Sequence, residues 1–254
     1  MSDYVSTVPL LQAEGIGFRY DRPVIQDFDL SIAAGEFVAV VGPSGCGKTT
    51  LMKLLAGFLP PTEGTLLWHG TPLQGPSPER VVVFQEFDQL FPWKRVWANV
   101  EFPLKHGGIS SVRLPDRRAR SRRVEAMLQE VGLSQASGRF PYQLSGGMKQ
   151  RTALARALVC RPDMLLMDEP FGSLDAQKRE ELQELLLRMW REHQFAAVFV
   201  THDISEALYL ADRVVVLPQA GGSEYTQIPV ELPRPRDRSS ADFRDYYRRI
   251  YGLL

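Results

Sequence analysis

The chain has 254 residues, enough for one large α/β domain or a core with a subdomain, and either can bury a sizeable apolar interior. Its 30 basic and 30 acidic side chains cancel, which leaves no overall charge to draw it onto nucleic acid or an anionic surface. Cys46 and Cys160 are its only cysteines, so there is no disulfide framework or metal-ligand spacing, and a reducing, cytoplasmic setting fits.

The first nine residues carry no basic stretch followed by an apolar one, and no run reaches the roughly 18 apolar residues of a membrane span, so the chain reads as soluble. Alternation in Phe28, Leu30 and Ile32 and the short run at 65–68 predict a half-solvated antiparallel sheet near the N-terminus. Continuous apolar runs at 37–41, 81–84, 164–167, 196–200 and 214–217 predict strands buried on both faces, as in a parallel sheet. Leu51, Leu54 and Leu55, and then Leu182, Leu185, Leu186 and Met189, recur at helical spacing and predict core-facing helices between those strands. Residues from about 86 to 160 lack a strand signal. There Pro115 and Asp116 mark a helix start, Val124, Met127, Leu128 and Val131 its apolar face, and Gly132 its end. Its arginines, Arg113, Arg117, Arg118, Arg120, Arg122 and Arg123, suit phosphate or lipid, but a solvated helix face is the simpler account. From about 229 to 254 an extended arm and a short helix are expected, with no chemistry assigned. No internal repeat is visible. The expected fold is thus a single α/β domain over 1–254: a P-loop core with a mostly parallel sheet, an N-terminal antiparallel β-subdomain and an inserted helical subdomain at about 86–160.

The chemistry is concentrated at the ends of these strands. Gly42, Pro43, Ser44, Gly45, Cys46, Gly47, Lys48 and Thr49, followed by Thr50, form a P-loop between a strand and a helix. Backbone amides and the helix N-terminus then face phosphate, Lys48 neutralises the β- and γ-phosphates, and the Thr49 hydroxyl is placed for Mg²⁺. An ordinary glycine turn explains the glycines but not the Lys48-Thr49 pair. The run at 164–167 ends in Asp168 and Glu169. Successive strand residues point to opposite sides, so the two acids have different tasks: Asp168 to hold Mg²⁺ and Glu169 to orient or deprotonate water. Gln85 and His202 end two further runs. Alone, each passes as a structural residue; together they gather where ligands bind in such sheets, outside the carboxyl ends of the strands. Gln85 there is placed to reach the metal and water. Downstream, Ser145, Gly146 and Gly147 open an Ala/Leu-rich helix, either as a plain serine cap or as a second anion site. A second phosphate-facing turn implies a site closed from two sides.

Taken in order, these motifs resemble the ATP-binding subunit of an ABC transporter over nearly the whole chain. The resemblance implies that Tyr20 stacks on adenine with Val24 beside it. It makes Gly42 to Thr49 the Walker A segment, Gln85 the Q-loop glutamine, Leu144 to Met148 the signature, and Asp168 and Glu169 the end of Walker B. Ser173, Leu174 and Asp175 become the D-loop, and His202 the switch histidine touching the γ-phosphate. In that family two copies face head to tail, and the signature of one closes over the ATP of the other. Glu86 to Trp93, Met148 and Leu232 to Arg236 look like the nitrate, sulfonate and taurine importers. The resemblance therefore implies Mg-ATP hydrolysis driving solute uptake through separate integral membrane permease subunits. A solute-binding protein takes part indirectly, no nucleic acid is involved, and the chain sits on the cytoplasmic face of the inner membrane as a peripheral subunit. Phe91, Pro92 and Trp93 would face the permease; alternatively Trp93 and Trp97 pack the helical insertion. A soluble, non-transport ABC ATPase would be expected to show a long coiled coil or a second cassette, and a non-hydrolysing regulatory module to lack Lys48, Asp168, Glu169 or His202. An exporter fits less well, since no membrane segment is fused to the chain.

Overall fold

The computed structural model describes residues 8–84, 89–106, 116–172, 174–219, 222 and 224–254. The chain runs through β1 (Leu11–Arg19), β2 (Pro23–Ile32), β3 (Phe37–Val41), α1 (Lys48–Leu55), β4 (Glu63–Trp68) and β5 (Thr71–Pro72). It continues through β6 (Arg80–Val83), α2 (Val96–His106), α3 (Arg117–Glu130), α4 (Gly146–Leu158), β7 (Met164–Asp168) and α5 (Ala176–His193). It ends with β8 (Ala196–Val200), α6 (Ile204–Leu210), β9 (Arg213–Val216), β10 (Thr226–Pro229) and α7 (Ala241–Tyr251). Two compact units result, one from the residues before 77 and after 195, the other from 77–195.

In the first unit, β2, β1, β4 and β5 pair in that order, all antiparallel. The alternation read from Phe28, Leu30 and Ile32 is real, since all three are buried on β2 while the residues between them are exposed. β1 has no clear alternation to announce it, and the reason is visible in its pairing: the register with β2 shifts between Ala13 and Ile16 and twice more before Arg19, which breaks the period of two. β3 lies between β8 and β9, parallel to both, and β10 closes that group antiparallel to β9. All five residues of β3 and all five of β8 are buried, as continuous apolar runs require. Leu51, Leu54 and Leu55 of α1 are buried as their spacing predicts, and α1 packs on β8.

In the second unit, β6 and β7 are parallel, with Val83 opposite Met167. The expected strand at 81–84 is displaced by one residue to Arg80–Val83, and that at 214–217 likewise to Arg213–Val216. α2, α3 and α4 lie between β6 and β7, and α4 packs on α2, α3, α5 and β6; the second predicted stripe, Leu182, Leu185, Leu186 and Met189, is buried on α5. Asp116 caps α3, accepting from the Ala119 amide at 2.7 Å, and Val124, Met127 and Leu128 form its buried face. The arginine run divides along α3. Arg117, Arg118 and Arg122 are exposed, whereas Arg123 is half-buried and donates to the Val159 carbonyl at 3.1 Å.

Candidate active site

In the first unit the P-loop leaves the end of β3 and enters α1 through Gly47. Gly45 and Gly47 have φ of +79° and +105°, a left-handed backbone that favours glycine. At Gly47 space also forbids a side chain: a Cβ there would lie 2.9 Å from Val24 Cγ1 and 3.3 Å from the Val24 carbonyl oxygen. The cradle is therefore seated on β2. Lys48 is 7 % exposed and folds back over the loop, its Nζ donating to the carbonyls of Gly42 at 2.8 Å and Pro43 at 2.9 Å. Ser44, Gly45 and Thr49 face outward, and Pro43 and Thr50 are half-buried. Cys46 is buried beneath the loop; burial pushes its thiol up, partly opposed by the Lys48 charge, so it is a neutral packing group rather than a nucleophile.

The parallel register places His202 at the same strand edge. Val40 pairs with Val200, and the Thr201 amide donates to the Val40 carbonyl at 3.1 Å. Thr201, His202 and Asp203 thus leave β8 where Gly42 leaves β3. His202 is exposed, between a buried Thr201 that donates to Glu206 Oε2 at 2.7 Å and an Asp203 that caps α6. Tyr20 is 58 % exposed and meets Phe18 edge-on at 4.9 Å, leaving its ring available on the surface, with Val24 half-buried.

In the second unit, β7 ends at Asp168, and Glu169 has φ of +43°. A left-handed conformation in a non-glycine residue costs roughly 1–3 kcal/mol and concentrates at functional positions. The expectation that the two acids diverge through the strand pleat is corrected here: Glu169 lies beyond the strand, and the turn of its own backbone separates it from Asp168. Both are half-buried. Parallel β6 ends beside β7, but Gln85, which follows it, lies outside the described residues, as does Ser173 of the expected D-loop.

The signature is built differently. Ser145 is the N-cap of α4, its Oγ accepting from the Met148 amide at 3.4 Å, and Gly146 and Gly147 open the helix in helical conformation. A cavity of about 310 Å³ lies over this turn, lined by Ser145, Gly147, Met148, Arg151, Lys178 and Glu181. Asp175 caps α5 by accepting from the Lys178 amide at 3.0 Å. The Lys178 ammonium also donates to its other oxygen at 2.5 Å, which holds the Asp175 carboxyl below its usual range. Lys178 is a cation beside the signature that the sequence did not single out, because it lies far along the chain from the turn that it lines.

A second groove, of about 290 Å³, lies between β6, α2 and α4, with Val81, Phe91, Phe102, Pro103 and Ala157 on its walls. Trp93 projects from the loop before α2 and is 70 % exposed, while Trp97 is half-buried. Asn99, fully buried on α2, fixes that loop: it accepts from the Phe91 amide at 2.8 Å and donates to the carbonyls of Phe91 and Lys94 at 3.2 and 2.9 Å. An asparagine between apolar residues of a helix was the available signal, and it went unread.

P-loop, acidic strand end, serine-capped glycine turn and strand-end histidine are all present, each at the end of its element. The sequence profile of the ABC transporter family matches residues 25–172, more than half of the chain. The chain belongs to the ABC transporter family. This ABC chain is 46 % identical over 223 residues to the nitrate import ATP-binding protein NrtD of Synechococcus elongatus, covering 87 % of its own length and 80 % of that protein. It is 47 % identical over 216 residues to the taurine import ATP-binding protein TauB of Yersinia pestis, covering 84 % and 81 %. Among solved structures it resembles the dimeric structure of MJ0796, a bacterial ABC transporter cassette, with a TM-score of 0.74 at 28 % identity over 87 % of this chain and 99 % of that one. It is an ATP-binding subunit and an ATPase of that family, with the P-loop α/β core and antiparallel sheet its sequence implies. No helix among the described residues is long and apolar enough to cross a membrane.

Proposed function

We propose that this ABC ATPase powers uptake of a small solute through separate membrane subunits, acting as a head-to-tail pair of copies on the cytoplasmic face of the membrane. The observation that carries the catalytic part is the left-handed Glu169 directly after Asp168, a strained acid at a strand end in a chain whose P-loop lysine and threonine are intact. Glu169 acts as the base that orients or deprotonates water, Lys48 and the amides of 42–50 bind the β- and γ-phosphates, and His202 contacts the γ-phosphate. Tyr20 stacks on the adenine ring. The residues fit Mg²⁺: an outward hydroxyl at Thr49, a carboxylate at Asp168 and the amide oxygen of Gln85 are the hard oxygen donors it prefers. When bound, Mg²⁺ would offset the charge of the phosphates.

Ser145, Gly146 and Gly147 offer a hydroxyl and helix-start amides at a cavity that Arg151 and Lys178 also line, which suits an anion delivered by a second copy. The dimeric MJ0796 structure supports the same reading. Import is supported by the names of NrtD and TauB, and the permease contact by the apolar groove beside α2, where Phe91 lines a wall and Pro92 and Trp93 are exposed. A solute-binding protein takes part only through the membrane subunits.

Glu169→Gln tests the mechanism. It should bind ATP normally and accumulate as a dimer on size exclusion, with turnover in the assembled transporter reduced at least about 100-fold, in the range expected on losing a general base. Unchanged turnover would remove Glu169 from that role. Co-purification of the membrane partner, followed by a screen of solutes for stimulation of ATP hydrolysis, tests the transport assignment; ATPase activity that is indifferent to any membrane partner would end it.

A further inference from the structure

The C-terminal arm contains a buried cation that the site does not use: Arg236 is 6 % exposed, and its guanidinium donates to four backbone carbonyls. These are Leu208 at 2.6 Å, Ala211 at 2.5 Å, Val230 at 3.1 Å and Leu232 at 3.2 Å. Two of the acceptors lie at the end of α6 and two on the arm itself, so one side chain joins the arm to the helix. Arg234 repeats the contact, donating to the Leu210 carbonyl and to Asp212 Oδ1, both at 2.5 Å. Asp212 in turn accepts from the Phe37 amide at 2.9 Å through its other oxygen, which ties the same point to the start of β3. Arg238 lies over the Tyr209 ring at 4.3 Å, and α7 packs on α6.

A helix of seven residues is marginal by itself, and its last carbonyls have no partners within it. Here they are met by cations, the charge that a helix C-terminus favours. The other end is fixed equally well: Asp203 accepts from the Ser205 and Glu206 amides at 2.7 and 3.3 Å, and Glu206 accepts from buried Thr201. His202 sits between Thr201 and Asp203. Its backbone is therefore set by α6, and α6 is set by the arm.

We propose that the C-terminal arm is the positioning device for His202, with Arg236 as its anchor and α6 as the strut between them. The inference rests on the reading of His202 as the γ-phosphate contact. Arg236→Lys removes the fork that reaches four carbonyls while keeping the charge, since one ammonium cannot span helix end and arm together.

The full chain has four histidines, His69, His106, His193 and His202, so ¹⁵N-histidine NMR reads each ring separately, with His202→Gln giving the assignment. The expected result for Arg236→Lys is a shifted or broadened His202 signal with the other three unmoved. In the assembled transporter, kcat should fall about tenfold while the KM for ATP changes less than about twofold, the pattern of a lost transition-state interaction. A lower melting temperature with an unmoved His202 signal, or equal movement of all four signals, would overturn the proposal. Arg234→Ala, which removes the Leu210 and Asp212 bonds and leaves Arg236 in place, gives the same readouts if Arg236→Lys does not fold. Unaltered turnover in His202→Ala would overturn the role of His202 itself, whereas lost turnover there with an unmoved signal in Arg236→Lys overturns only the role of the arm.

Discussion

The two glycine turns of this ABC chain, Gly42 to Lys48 and Ser145 to Gly147, are built in opposite ways. The first is self-sufficient: left-handed glycines at 45 and 47, a floor made by Val24, and a lysine that belongs to the loop. The second is a helix start with a serine cap and two glycines in ordinary helical conformation, open to a cavity. The difference separates two kinds of glycine requirement. In the P-loop, glycine is demanded by backbone angle and by the absence of room. In the signature neither demand holds: Gly147 is helical, and a Cβ there would meet Lys178 Cδ at 3.7 Å, an ordinary contact. That freedom makes sense if what must approach belongs to another copy.

The sharpest way to break this contrast is Gly47→Ala. With φ at +105° and Val24 Cγ1 2.9 Å away, the loop must rebuild at a cost of at least roughly 1–3 kcal/mol, and ATP binding by the isolated chain, titrated with a fluorescent nucleotide, should be lost altogether. Ser145→Arg comes next. It should leave ATP affinity of the isolated chain within about twofold and cost only a helix cap, about 1 kcal/mol by thermal melting, while ATP turnover in the assembled transporter falls by more than about tenfold. Loss of nucleotide affinity in the isolated chain would make the signature part of the same chain's site and erase the distinction. The smallest effect is expected from Tyr20→Ala, where removal of an exposed stacking ring should weaken ATP binding about tenfold, within the range seen for aromatic–base stacking, and leave kcat unchanged.

Elements buried on both faces were legible in the sequence almost to the residue. β3 and β8 match the runs at 37–41 and 196–200 because unbroken apolarity and full burial are the same constraint seen twice. Half-buried β1 was not legible, since its bulges scramble the alternation that would have announced it. The site followed the same division. Lys48 was found by the P-loop pattern and Asp168, Glu169 and His202 by their position after apolar runs, but the left-handed turn at Glu169 has no local signature apart from the proline after it. Arg234 and Arg236 read as a basic tail, because the carbonyls that make Arg236 a buried group lie up to 28 residues away in sequence. Asn99 was hidden for the related reason that its partners, at 91 and 94, precede the helix on which it lies.

β3 carries one further consequence. It is enclosed on both faces and hydrogen-bonded along both edges, to β8 and to β9. Its amide protons are thus among the last to exchange with solvent, opening only when the whole unit opens. A nucleotide cycle that leaves the fold intact cannot include such an event in each turn. The strand that leads into the P-loop is accordingly an anvil: it stays still beneath whatever moves above it.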